Sequence, residues 1–179
     1  ILWVNMVSSV VLAMTLAFEP TEPDIMQAPP RARNESLLRG FVLWRVALVS
    51  LLFLAGIFAA WYWAMHHYGN DQTARTLAVN TLVSMEGFYL FAVRYLDSAS
   101  LTLRGVLGTP VVLLAVAAVL VLQLLFTYLP WFNHTFDTVP LSLDMLGFAG
   151  ATGVLLLFIL EAETALRKRL FRPRRGQSP

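Results

Sequence analysis

Apolar residues form five long runs along the chain, at roughly 1–18, 41–66, 77–96, 109–129 and 145–162. Each run approaches or exceeds the ~20 residues that a helix needs to cross about 30 Å of hydrocarbon. The runs are continuous in Leu, Val, Ala and Phe, whereas the strands of a membrane barrel alternate apolar and polar residues. The pattern therefore predicts an all-α membrane protein, a bundle of five transmembrane helices joined on one side by short polar loops at 67–74 and 130–143.

Composition supports the membrane assignment. Of the 179 residues, 58% are hydrophobic and 13% are charged, and none is a cysteine. A soluble domain carries about 25% charged residues, so this chain cannot cover an ordinary surface with polar groups. The lack of cysteine excludes a disulfide framework and thiolate metal sites.

The basic residues predict the orientation. Although the sequence pI is 9.3, the Lys and Arg residues lie between apolar runs and not on a folded polar face, so we expect no nucleic-acid partner. With five spans, all the basic residues except Arg75 fall on one side. These are Arg31, Arg33, Arg39, Arg45, Arg94, Arg104, Arg167, Lys168, Arg169, Arg172, Arg174 and Arg175. Cytoplasmic loops retain Lys and Arg, which predicts a cytoplasmic C-terminus with a basic tail at 167–179 that attracts membrane lipids.

Glu86 is the first candidate functional residue. It falls near the middle of the third run, where a carboxylate costs at least a few kcal/mol, so a functional role is the default hypothesis. Asn80 and Ser84 are four apart on one helix face, and Gly87 would let another helix approach. The alternative is a protonated Glu86 that hydrogen-bonds a neighbouring helix.

The first run holds a second candidate group. Asn5, Ser8 and Ser9 have the spacing that puts three oxygen-bearing side chains on one turn of an α-helix. Such oxygens bind hard cations, although Ser and Asn in membrane helices more often serve packing. Together with Glu86 across a helix interface, they would form an oxygen cluster within the membrane.

Three segments resemble a known family. Trp3-Val-Asn-Met-Val-Ser-Ser, Leu16-Ala-Phe-Glu-Pro-Thr-Glu-Pro-Asp-Ile-Met and Pro29-Pro-Arg are similar to the sixth transmembrane helix and following loop of type II P-type cation ATPases. Leu82-Val-Ser-Met-Glu resembles the eighth helix of calcium pumps, whose Glu is a cation ligand. The resemblance implies that the five spans are helices six to ten of such a pump.

The same resemblance implies a metal site formed by Asn5, Ser8, Ser9 and Glu86. Ser8 stands where the family has a ligand Thr, and Ser9 stands where it has an acidic residue that serves both calcium sites. A hydroxyl supplies neither that charge nor bidentate coordination, which argues against the full two-calcium arrangement. The transported cation is then a divalent ion such as calcium or manganese, or a monovalent ion.

The resemblance also implies partners outside this chain. ATP and magnesium would bind only in the phosphorylation and nucleotide domains, which have no counterpart here, so the chain alone is not expected to hydrolyse ATP. Because it opens inside an apolar run, we expect a piece of a longer pump, and the remainder of that pump is its partner. We expect an integral protein of a bacterial inner membrane or a plasma membrane. Two alternatives are a membrane helix bundle without ion ligands that is purely structural or binds a partner or lipid and, less favoured, a self-contained small channel or transporter.

Overall fold

The computed structural model describes residues 2–16, 40–94 and 110–170, and every regular element in these ranges is a helix. The prediction of an all-α fold is confirmed. The chain begins with a π-helical stretch, Val4–Ser9, continued by α1 (Val10–Leu16); we call these two together the first segment. The later helices are α2 (Gly40–Tyr68), α3 (Asp71–Arg94), α4 (Pro110–Tyr128), α5 (Pro130–Phe136) and α6 (Leu143–Leu170).

A two-residue turn joins α2 to α3. Gly69 has a φ of 63°, which glycine adopts without strain. The side-chain oxygen of Asn70 accepts the backbone N–H of Gln72 at 2.9 Å and so caps α3. The helix therefore begins at Asp71, before the apolar run at 77. The predicted loop at 67–74 is mostly helical because polar residues after a good cap extend the helix.

The loop predicted at 130–143 also contains a helix. Pro130 occupies the first turn of α5, where its missing N–H costs no hydrogen bond. Helix α5 turns by 77° from α4 and ends at Phe136. The next residue, Asp137, has a left-handed φ of 54°, and its backbone N–H donates to the carbonyl of Asn133 and caps the helix.

Within the described ranges, three helical stretches are long and apolar enough to cross a membrane: Val42–Tyr68, Asp71–Val93 and Leu143–Arg167. Leu113–Tyr128 and Pro130–Phe136 meet the same requirements of length and composition when they are counted together as one bent span. The first predicted span, 1–18, is described only over residues 2–16, so a fifth crossing stays a prediction. Helix α6 runs to Leu170, and the rest of the predicted basic tail lies outside the described residues.

Helix α3 is the centre of the bundle. One side packs against α2 and α6 through Met85, Ala92, Leu156 and Leu160, all buried. We call this side of α3 the packed face. A second side carries Val79, Leu82 and Leu90, which pack with residues of the first segment and α4. Large apolar side chains such as those of Leu51, Phe58 and Leu155 point outward and are exposed, as expected for helices that meet lipid.

Candidate intramembrane cation site

Glu86 lies within the membrane-spanning part of α3. It is four residues beyond the midpoint of Asp71–Val93, which is about 6 Å along a helix. The residue is half-buried, and its Oε2 atom is buried. A carboxylate at this depth is costly unless protein groups or an ion stabilise it. Its position within the span agrees with the sequence prediction.

Helical spacing determines which neighbours Glu86 faces. Val79, Leu82 and Leu90 are seven and four residues away and therefore share its side of α3. These three residues belong to the cluster that includes buried Val4 of the first segment. We call this side of α3, with Glu86, the first-segment face. Glu86 thus lies on the side of α3 that meets the helix carrying the other predicted ligands.

The backbone of Asn5, Ser8 and Ser9 lies in the π-helical stretch next to α3. A π-helix hydrogen-bonds from i to i+5, so the α-helical spacing assumed from the sequence does not describe this backbone. Single π-helical turns within α-helices occur often at functional sites. The side chains of Asn5, Ser8 and Ser9 lie outside the described residues, so the predicted metal site of these three with Glu86 stays a prediction.

Trp3 fixes the start of the first segment. Its ring stacks on Phe126 of α4 with a centroid distance of 5.0 Å. The indole N–H donates to Oε1 of Gln123 at 3.1 Å. Edge contacts to Phe132 and Phe136 of α5 complete the cluster. In the sequence, Trp3 stands out only as the first residue of a segment that resembles the family. Its aromatic neighbours are more than 120 positions away, so the sequence alone does not predict these contacts.

Asn80 and Ser84 do not share the first-segment face. The side-chain N–H of Asn80 donates to the Thr76 carbonyl at 2.9 Å, and Asn80 Oδ1 accepts from Thr127 of α4 at 3.1 Å. Residues six apart in sequence are about 120° apart around a helix, so the spacing of Asn80 and Glu86 already predicts that their side chains lie on different sides of α3. Asn80 serves helix pairing with α4, and Ser84 lies beside α6.

The sequence predicts a close helix approach at Gly87 and a close-packing face formed by Gly147, Gly150 and Gly153. Among the described residues, nothing lies within 4 Å of the Cβ position of Gly87, Gly147 or Gly150, so only the prediction at Gly153 is confirmed. A Cβ on Gly153 of α6 would stand 2.7 Å from Ser84 Oγ and would overlap the ring of Phe88. A Cβ on Gly56 of α2 would stand 2.6 Å from the sulfur of Met85. Gly56 and Gly153 therefore allow α2 and α6 to pack tightly on the packed face.

A buried ion pair joins α2 to α6. The guanidinium of Arg45 donates to Glu163 at 2.7 Å and to the hydroxyl of Thr164 at 3.0 Å. The side chains of Arg45 and Glu163 are 9% and 17% exposed. If one partner were removed, the other charge would be left without compensation, which is strongly destabilising. The contact therefore holds α2 and α6 together near one end of the bundle.

The opposite end of the bundle carries exposed polar contacts. Arg75 bridges Asp71 of its own helix at 2.9 Å and Asp137 after α5 at 3.0 Å. The hydroxyl of Tyr68 donates to Asp144 at 2.6 Å, linking α2 to α6. The three histidines, His66, His67 and His134, are exposed there. Among the described residues, no three His, Asp or Glu side chains come together as a metal site.

Comparison with known protein families identifies the family of this chain. Residues 1–166 match the family described as "Cation transporting ATPase, C-terminus". The chain belongs to this family. The transmembrane helices and the resemblance in the first and third runs are thereby explained, and this ATPase C-terminal domain is an integral membrane protein.

Several relatives carry related names. The domain is 35% identical over 166 residues to "Probable cation-transporting ATPase F" of Mycobacterium tuberculosis, an alignment that covers 93% of the domain and 18% of that protein. It is 34% identical over 147 residues to "Cation-transporting ATPase pma1" of Synechocystis, covering 79% and 16%. It is 29% identical over 145 residues to "Calcium-transporting ATPase" of Bacillus subtilis, covering 79% and 16%. The domain thus spans less than a fifth of the length of these relatives.

Proposed function

We propose that this domain supplies Glu86 and, from the first segment, Asn5, Ser8 and Ser9 to the intramembrane cation site of an ATP-driven pump. The supporting observation is the location of Glu86 on the first-segment face of α3, at membrane depth, with a buried carboxylate oxygen. A bound cation offsets the cost of a carboxylate there. Oxygen ligands of this kind suit hard cations.

The remaining helices have a bracing role in this proposal. Met85 and Ala92 on the packed face hold α3 against α2 and α6, and the Arg45–Glu163 pair joins those two helices. A ligand on α3 then keeps its position while helices elsewhere in the pump move. Trp3 serves the first segment in the same way because it holds that segment against α4 and α5.

The ion, the energy source and the orientation belong to the same proposal. The Bacillus relative is named as a calcium transporter, which supports a divalent ion such as calcium or manganese. A monovalent ion is the other candidate, because Ser9 cannot supply a second carboxylate to the site. ATP and magnesium would bind in the remainder of the pump chain, which is the main partner beside membrane lipids. The basic residues favour a cytoplasmic C-terminus in a bacterial inner membrane or a plasma membrane.

The test is Glu86→Gln in the intact pump. The variant keeps the size and removes the charge, so we expect at least about a tenfold rise in the ion concentration for half-maximal ATPase activity, equivalent to about 1.4 kcal/mol. Asp71→Asn is the matched control, because it removes an exposed carboxylate from the same helix. Equal ion dependence in both variants and the wild type would remove Glu86 from the site.

A second substitution tests the first segment. Ser9→Asp restores a carboxylate at the position where the resembling family has an acid, so we expect tighter binding of calcium in an equilibrium binding assay with radioactive calcium. Ser9→Asn has nearly the same shape without the charge and serves as the control. If both variants bind calcium alike, position 9 does not contact the ion.

The bracing role alone is the competing function, and the buried Arg45–Glu163 pair is the observation that favours it. Under that function Glu86 is a neutral packing residue. Glu86→Gln would then lower thermal stability equally with and without the transported ion. A loss of the stabilisation that the ion provides would instead favour the cation site, since a ligand stabilises only the state that binds it.

A further inference from the structure

Helix α5 lies almost at a right angle to α4. Leu129, which separates the two helices, has an extended backbone with a φ of −79° and a ψ of 122°. A residue before proline avoids the helical region, so Pro130 accounts for this break. Spanning helices tilt by about 20° from the membrane normal on average, so a helix 77° from α4 lies within about 35° of the membrane plane. Helix α5 therefore runs along the membrane and not across it.

The chain on either side of α5 places this helix at the boundary of the hydrocarbon. Helix α4 has 19 residues, about 28 Å, and so nearly crosses the hydrocarbon by itself. The chain after α5 is not helical at 138–142, and irregular backbone exposed to lipid does not occur within the hydrocarbon. The exposed ion pair of Arg75 and Asp137 lies at the same level, because Asp137 directly follows α5. Helix α5 thus lies where hydrocarbon meets polar headgroups and water.

The exposed side chains change from apolar to polar in the same order. One face of α4 carries exposed Leu124 and, one turn further, exposed Tyr128. Trp131 of α5 follows and is 67% exposed, and His134 is the next exposed side chain. Trp and Tyr are enriched where lipid meets water. None of the seven residues of α5 is Asp, Glu, Lys or Arg, so its surface suits headgroups without requiring a particular charge.

We propose that α5 is an interfacial helix whose exposed side, centred on Trp131, binds the headgroup region of the leaflet at this end of the bundle. The indole ring lies against the upper part of the acyl chains, and its N–H donates to a lipid oxygen. Lipid is favoured over a protein partner because this surface continues the exposed apolar face of α4. A protein that covered α5 alone would contact a helix of only seven residues.

The opposite side of α5 gives the lipid contact a consequence for the pump. Phe132 and Phe136 contact the ring of Trp3, with centroid distances of 5.2 and 5.7 Å. One short helix thus connects the lipid boundary to the first segment, which carries Asn5. Displacement of α5 from the boundary would move Trp3 and alter ion affinity; this consequence rests on the proposed cation site.

The experiment measures the depth of α5 with a spin label in the intact pump in liposomes, after replacement of any cysteine elsewhere in the pump. The domain itself has no cysteine, so Trp131→Cys provides one labelled position. We expect the label at 131 to lie about 5–10 Å below the lipid phosphates, by relaxation with oxygen and with a water-soluble nickel chelate. Leu124→Cys is the control for the hydrocarbon and should lie about 7 Å deeper, because it is five residues before Leu129. His134→Cys is the control for the polar side.

Two outcomes would overturn the proposal. The label at 131 could be as accessible to the nickel chelate as the label at 134, which would place Trp131 in water. It could instead be shielded from both oxygen and nickel, which would mean that the remainder of the pump or a second copy covers α5.

A second measurement keeps Trp131 in place in case its replacement disturbs the fold. The fluorescence of the wild type minus that of Trp131→Phe isolates the emission of Trp131. Lipids brominated near the carbonyl end of the acyl chain should quench this emission about twofold more strongly than lipids brominated near the methyl end, because an interfacial ring lies only about 5–10 Å deep. Equal quenching by the two lipids, or none, would contradict the proposal.

Trp131→Ala tests the link to the first segment. We expect the ion concentration for half-maximal ATPase activity to rise about twofold, a change of about 0.4 kcal/mol. Trp44→Ala is the matched control, because Trp44 is 58% exposed at the opposite end of the bundle and should leave the ion dependence unchanged. Equal ion dependence of the two variants would overturn the link. An altered ion dependence of Glu86→Gln in the same assay would show that the cation site itself had not failed.

Discussion

The two faces of α3 differ in how closely they pack and in whether they carry a charged group. The packed face meets α2 and α6 through buried apolar side chains, and glycines at 56 and 153 bring the helices into close contact. The first-segment face meets a short helix with a π-helical start, and it carries the carboxylate of Glu86. A close-packed interface resists rearrangement, whereas a costly polar group at membrane depth is retained where it has a function.

This difference leads to a general expectation for variants of the intact pump. Changes on the packed side should lower the free energy of unfolding and leave the ion affinity of the folded protein unchanged. Changes on the first-segment side near Glu86 or the first segment should alter ion affinity out of proportion to their effect on stability, whereas changes at its exposed end should not. Four substitutions test that division, in order of decreasing expected effect.

Arg45→Met should produce the largest loss. It leaves Glu163 without its buried partner, and breaking a buried pair costs about 3–5 kcal/mol. The double variant with Glu163→Met removes both charges and should recover most of the loss. Thermal unfolding of the purified pump measures both effects, with ion affinity unchanged in the double variant. A double variant no more stable than the single one would contradict the role of the pair.

Gly153→Val should be next. Its Cβ would stand 2.7 Å from Ser84 Oγ and overlap Phe88, and overpacking of this kind costs about 1–3 kcal/mol. Gly147→Val is the control because open space surrounds Gly147 on the same helix. Thermal stability should fall only in the first variant, with half-maximal ion concentration alike in both. Equal stability of the two would mean that α6 does not pack on α3 as described.

The membrane helices could be predicted from sequence because a long continuous apolar run has few stable alternatives in lipid. The start of α3 and the end of α5 depend on local hydrogen bonds, such as the Asn70 cap and the bond from the Asp137 N–H to the Asn133 carbonyl. Hydropathy contains no information about such contacts. For this reason the loops predicted at 67–74 and 130–143 are partly helical.

The candidate site was only partly predictable. The cost of a charge in hydrocarbon identified Glu86, and helical spacing alone could have separated it from Asn80. The pairing of Arg45 with Glu163, 118 positions apart, depends on which helices meet. The same applies to the glycines, since Gly87 and Gly153 are both predicted as close-packing positions and only the neighbouring helix decides that a Cβ would clash at Gly153 and not at Gly87.

Trp3→Phe should have a smaller effect on stability and a distinct effect on function. Phe keeps the stacking on Phe126 but loses the hydrogen bond to Gln123, at a cost of about 1 kcal/mol. Because Trp3 is two residues before Asn5, we expect the half-maximal ion concentration to rise about fivefold, which corresponds to a similar energy. Lower thermal stability with unchanged ion affinity would assign Trp3 to packing alone.

Arg75→Gln should have the smallest effect. Arg75 and its partners Asp71 and Asp137 are more than half exposed, so the loss of both bridges should cost at most about 1 kcal/mol and should vanish at high salt. Arg75 is eleven residues from Glu86, about 16 Å along α3, and its charge is exposed to solvent, where ions at 0.15 M salt screen it with a Debye length of about 8 Å. Ion affinity at that salt concentration should therefore be unchanged, with Arg75→Lys as the control that keeps the charge. A shift in ion affinity for Arg75→Gln alone would show that the exposed end of the first-segment face is coupled to the site, and the division between the two faces would then extend along the whole helix.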